Sequence, residues 1–94
     1  MSTPTTYRCA SSVAATQVDD TSTVLLHLST QTYYQLNQTG TRLWQYVDDN
    51  GGATMPELVD TLHDGRADVS RADVQSDVKA FLRDLTEADL LVEG

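Results

Sequence analysis

Thr32-Tyr33-Tyr34-Gln35-Leu36-Asn37 runs, after one residue, into Thr39-Gly40-Thr41-Arg42-Leu43-Trp44. The first half carries two adjacent aromatics and alternates like a half-buried strand, with Tyr34 and Leu36 on one face and Tyr33 and Gln35 on the other. The second half changes period. Leu43, Trp44 and Val47 recur at helical spacing, and Asn37 or Thr39 can cap the helix by accepting a bond from an orphan backbone N–H. Asn50-Gly51-Gly52 ends it. A strand that passes into a helix through one polar residue fixes how the two pack, so the remaining elements arrange themselves around this junction.

Upstream, Thr23-Val24-Leu25-Leu26-His27-Leu28 is a second β-rich run. Its Val24, Leu26 and Leu28 share one face, and the three apolar side chains make that face the expected core side. Ser29-Thr30-Gln31 should turn this strand back on Thr32–Leu36, with strain on the order of 1 kcal/mol if Gln31 adopts positive φ. Val13–Val18 precedes it as a first strand, joined by the turn-forming Asp19-Asp20-Thr21-Ser22. Met1–Ser12, rich in Ser and Thr, reads as a flexible tail, and 13–92 as the folded domain.

Downstream, Thr54-Met55-Pro56-Glu57 has the form of a capping box with proline in the first turn. Leu58, Val59 and Leu62 follow as the buried side of a second helix, with Gly65 as its stop. Ser70-Arg71-Ala72-Asp73 opens the longest helical pattern, in which Val74, Val78, Phe81, Leu82 and Leu85 form one apolar face. Asp73, Asp77 and Asp84 lie beside that face, either as a solvated rim or as a partner for cationic side chains. Leu90-Leu91-Val92 is expected to close the core. The fold class is therefore α+β: a winged helix-turn-helix with an N-terminal three-stranded antiparallel sheet followed by three helices.

Composition narrows the function. Ninety-four residues with a 39% apolar share make one small globular domain. Fourteen Asp and Glu against six Lys and Arg leave a formal charge of −8, which opposes phosphate binding and weighs against nucleic acid. Cys9 is the sole cysteine, so no internal disulfide forms and a cytoplasmic setting is expected. No apolar run suits a signal sequence or a membrane span. His27, His63 and Cys9 are scattered, and the chain has no Gly-rich phosphate loop and no paired nucleophile and base. No metal, cofactor or catalytic residue is expected. What remains is a peptide-binding module, since the outer edge of a three-stranded meander has unpaired N–H and C=O groups that an extended peptide can complete.

Val24-Leu25-Leu26, Tyr33-Tyr34-Gln35-Leu36-Asn37, Gly40 and Leu43-Trp44 together resemble the PqqD-like family. So do Thr54 with Glu57-Leu58, the Val74/Val78/Phe81/Leu82 helix and the closing Leu85–Leu91 stretch, so that the likeness runs from Val13 to Val92. The resemblance implies a RiPP recognition element, which binds the leader of a ribosomally made precursor peptide as a strand beside the third strand, against the third helix. Within the family the chain most resembles the free-standing leader-binding proteins of lasso-peptide pathways. That implies a leader peptidase of the cysteine-protease type and a cyclase as further partners. A sister reading is a carrier of the precursor peptide for a radical enzyme, as in pyrroloquinoline quinone biosynthesis; a winged-helix DNA-binding regulator is a third. On the lasso reading, Tyr34 and Leu36 wall the groove from the strand, with Tyr33 beside them on the opposite face. Val74, Val78 and Phe81 wall it from the helix, and Asp77 makes a charge contact at the rim. Gln31 stands where relatives often carry Gly, and the acidic last helix is a second departure from the family pattern.

Overall fold

The computed structural model describes residues 5–64 and 69–93. Three strands, β2 (Val13–Asp19), β3 (Ser22–His27) and β4 (Thr32–Leu36), form an antiparallel meander in the order β2-β3-β4. Three helices follow, α1 (Gln38–Asn50), α2 (Met55–Asp64) and α3 (Arg71–Glu87). The expected meander and helices are thus present, and the predicted third strand is β4. Gly65, read as a helix stop, lies outside the described residues.

A second sheet was not anticipated. Residues assigned to the tail form β1 (Thr6–Cys9), the central strand of a sheet ordered β5-β1-β6 with β5 (Ala53–Thr54) and β6 (Leu91–Glu93). Tyr7 pairs with Ala53 on one side and Glu93 on the other, and both Tyr7 and Cys9 pack against the core. The folded unit therefore begins before residue 13. Gly52, at φ 143°, enters this sheet so tightly that a Cβ there would meet Thr6 and Arg8 side-chain atoms at 3.0 Å. Leu90 and Leu91 are buried as expected, whereas Val92 is exposed.

The core face of β3 is the reverse of the expected one. Thr23, Leu25 and His27 are buried, while Val24 and Leu26 are half-covered and Leu28 is exposed. Turn length is the cause. Four residues, 28–31, connect the strands, so His27 opposes Thr32 and Leu25 opposes Tyr34. The three-residue turn expected from Ser29-Thr30-Gln31 would have set Leu28 opposite Thr32, and a one-residue slip exchanges the two faces of a strand. Gln31 does take positive φ, 56°, with its N–H donating to the His27 carbonyl at 2.7 Å.

The helices are delimited as their ends suggest. Asn37 Oδ1 accepts from the Gly40 N–H at 2.8 Å to cap α1. At the other end Gly51 is left-handed, and the Gly52 and Gly51 N–H groups donate to the Val47 and Asp48 carbonyls in a Schellman arrangement. Thr54 and Glu57 exchange the bonds of a capping box before α2, and Ser70 Oγ accepts from the Asp73 N–H to begin α3. Leu25, Leu36, Leu43, Trp44, Val47, Leu58, Leu62, Val74, Val78, Leu82 and Leu85 fill one continuous core. Trp44 is the anchor its size suggested.

Candidate functional site

β4 sits at the edge of its sheet. Its ladder partner is β3, and among the described residues no strand pairs with its other side. Alternate N–H and C=O groups of β4 therefore face outward. Asn37 ends the strand and turns the chain into α1 at once. α3 stands across from β4. Between them lies a cleft of about 310 Å³.

Three elements line this cleft. β4 contributes Tyr34, Gln35 and Leu36. The β4–α1 junction contributes Asn37, Thr39 and Gly40, and α3 contributes Asp77, Ala80, Phe81 and Asp84. Gly40 has a steric reason to be small, since a Cβ at this position would stand 3.3 Å from Leu36 Cβ and Cδ2. A side chain there would require Leu36 to give by a few tenths of an ångström. Tyr34 and Phe81 are both half-buried against the core, each presenting the rest of its ring to the opening.

The seven residues expected at the site are divided by the structure. Tyr34, Leu36, Asp77 and Phe81 are brought together on the two walls. Val74 and Val78 are at 0% exposure inside the core and support the helix wall from beneath. Tyr33 is 71% exposed and projects from the opposite sheet face beside Leu26, its cross-strand neighbour. Gln35, Asn37, Thr39, Gly40 and Ala80 were not anticipated as lining residues. The positions 77, 80, 81 and 84 recur at three and four, which is the flank of the same helix whose centre is buried.

Other chemistry-bearing groups are inert or remote. The Cys9 thiol is half-buried and pushed up to about 11 by desolvation and then by the Asp48 charge, so it holds its proton and is a poor nucleophile. His27 is buried on the core side of β3, and His63 Nε2 lies 3.2 Å from the Val69 carbonyl oxygen, which accepts if that nitrogen is protonated. Among the described residues no group of three His, Cys, Asp or Glu is placed to hold a metal ion, and no helix is long and apolar enough to cross a membrane.

The strand edge, the cleft and the helix across it belong to a small winged-helix module of the α+β class. The family model for coenzyme PQQ synthesis protein D (PqqD) matches residues 22–91, and the chain belongs to this family. Two solved structures share the fold. TbiB1 in complex with the TbiA(beta) leader peptide is 33% identical, with a TM-score of 0.80 over 89% of this chain and 93% of that one. Lasso peptide synthetase B1 complexed with the leader peptide is 23% identical, with a TM-score of 0.76 over 92% of this chain and 96% of that one. Among curated proteins, none matches.

Proposed function

We propose that the chain binds the leader of a ribosomally synthesised precursor peptide, which adds as a strand to β4 in the cleft against α3. It performs no chemistry of its own. It presents the leader to a cysteine-protease leader peptidase and the core peptide to a cyclase, raising their effective concentration in lasso-peptide biosynthesis. The observation that carries the reading is the unpaired edge of β4 running along a cleft whose far wall is Phe81. The likeness to TbiB1, solved with its leader peptide, supports it. Backbone bonds along the edge would each net roughly 0.5–1.5 kcal/mol, and an apolar guest side chain between Tyr34 and Phe81 about 1.5–3 kcal/mol more. The second reading, delivery of a precursor peptide to a radical enzyme, draws support from the family description and uses the same cleft.

The test is fluorescence anisotropy with a labelled leader taken from the precursor reading frame beside this chain's own. Phe81→Ala is expected to weaken binding roughly tenfold or more while the circular dichroism spectrum is unchanged. Leaders N-methylated on alternate backbone nitrogens should fall into two sets, one binding and one not, because alternate amides face β4. If wild type and Phe81→Ala bind alike, or both methylated sets bind, strand addition in this cleft is wrong.

A further inference from the structure

The meander face turned away from the core is the more apolar side of β3. Val24 and Leu26 lie on it, against Thr23, Leu25 and His27 on the core side. The strand register gives this outer face two rows, Ala14–Leu26–Tyr33 and Thr16–Val24–Gln35, and neither holds a formal charge. Solvated sheet faces ordinarily turn polar side chains outward, and a strand apolar on both faces is the mark of one covered on both. Tyr33 carries this face to the open edge, and at 71% it is the most exposed large apolar side chain among the described residues. Hydrogen-bond parity then shows which backbone groups the edge offers. The Leu28 N–H donates to the Ser12 carbonyl at 2.7 Å, one step beyond the Val13/His27 pair. Bonded pairs recur every second residue along an antiparallel ladder. Leu26 and Val24 therefore bond β2, while His27, Leu25 and Thr23 bond Thr32, Tyr34 and Leu36 of β4. The N–H and C=O groups left open on β4 are those of Tyr33 and Gln35.

Resting on the reading of the cleft as a leader site, we infer that the guest strand is read from both faces. Tyr33 is the specificity-determining residue of the second face, where it takes an aromatic or β-branched guest side chain. A guest that bonds at Tyr33 and Gln35 places one residue opposite Tyr33, whichever direction it runs. That residue projects to the outer face, because side chains directly opposite one another share a face. The next guest residue stands opposite Tyr34 and projects the other way, into the cleft toward Phe81. The residue opposite Leu36, three positions from the one at Tyr33, projects to the cleft side too. The cleft anchor and the Tyr33 contact are therefore one or three positions apart in the guest, never two. A charged side chain opposite Tyr33 finds no counter-charge in either outer row, whereas an apolar one takes its own surface and the tyrosine ring out of water together. The outer face thus adds selectivity that the sequence-blind backbone ladder lacks.

The experiment is display selection of random 12-residue peptides on the full chain, keeping those whose capture is lost with Phe81→Ala and which therefore occupy the cleft. One synthetic peptide from that pool is then scanned with alanine against wild type and against Tyr33→Thr. Threonine keeps the β propensity of the strand, and circular dichroism checks the fold. Tyr33→Thr should weaken the parent peptide about two- to fivefold, as loss of an aromatic cross-strand pair does. One apolar peptide position should show an alanine effect on wild type that disappears on Tyr33→Thr. It should lie one or three positions from the anchor, the residue with the largest alanine effect. Glu and Lys at that position should both weaken wild-type binding, whatever the sign of charge. Unchanged affinity for Tyr33→Thr, alanine effects that are the same in both backgrounds, or a coupled position two residues from the anchor overturns the two-face reading and leaves the leader-site reading standing. If no peptide depends on Phe81, the leader-site reading falls and takes the second face with it.

Discussion

Gln31 occupies a left-handed conformation, φ 56°, in the turn that delivers the chain to β4. A side chain in that region costs roughly 1–2 kcal/mol, and glycine returns part of the gain through its more flexible unfolded state. Gln31→Gly is therefore expected to stabilise the chain by about 0.5 kcal/mol, read as a higher urea midpoint at unchanged slope. A lower midpoint would mean that the Gln31 side chain makes a compensating contact. The strain was legible from the residue types, because Ser29-Thr30-Gln31 holds no Gly or Asn. The turn's length was not, and with it went the orientation of β3. Thr23 and His27 face inward because a four-residue connection puts them opposite Leu36 and Thr32, whatever their polarity. The same limit applies on α3. Periodicity places Val74, Val78, Phe81, Leu82 and Leu85 on one side of the helix but does not separate its centre from its flank. Packing against α2 makes Val74, Val78 and Leu82 the centre, leaving Phe81 at the cleft with Asp77 and Asp84.

At the scale of elements, the junctions were the most readable features, since caps are local chemistry. Thr54/Glu57 and Ser70 cap as their spacing implied, and of the two candidates before α1 it is Asn37 that caps. The Thr54–Glu57 box makes a pH prediction. Glu57 sits below its usual carboxylate range, first because its Oε1 accepts from the Thr54 N–H and then because it accepts from the Thr54 hydroxyl. A carboxyl whose folded value is depressed adds stability above its unfolded value, here 4.5, and that stability is lost as pH falls through the folded value. Between pH 5 and pH 3 the wild-type urea midpoint should thus drop more steeply than that of Glu57→Gln. Parallel curves would show that the box does not persist in solution. The short strands β5 and β6 were unreadable for the opposite reason. Two and three residues give no window for a period, and their partner in β1 lies far away in sequence.

At the scale of the whole molecule, the two sheets divide the work. The meander presents the cleft, while the β5-β1-β6 sheet ties the start of the chain to the entrance of α2 and to the segment after α3. None of that second sheet's residues lines the cleft. Its central strand was expected to be tail, so deletion of residues 1–10 distinguishes the two views sharply. Removal of β1 takes Tyr7 and Cys9 off the core, breaks both ladders and removes the Thr6, Tyr7 and Arg8 atoms that crowd Gly52. Partial burial of two side chains and several backbone bonds together contribute on the order of 3 kcal/mol or more. A domain of this size has roughly 5–15 kcal/mol in total, so the loss should lower the melting temperature by more than about 10 °C. Below that lower melting point the truncated chain should still bind leader peptide within about twofold of wild type, because β4, Phe81 and Asp77 keep their supports. An unchanged melting temperature would return residues 6–9 to the status of a tail. A strongly weakened affinity in a chain that remains folded would mean instead that the second sheet holds α3 at its distance from β4, and so sets the width of the cleft.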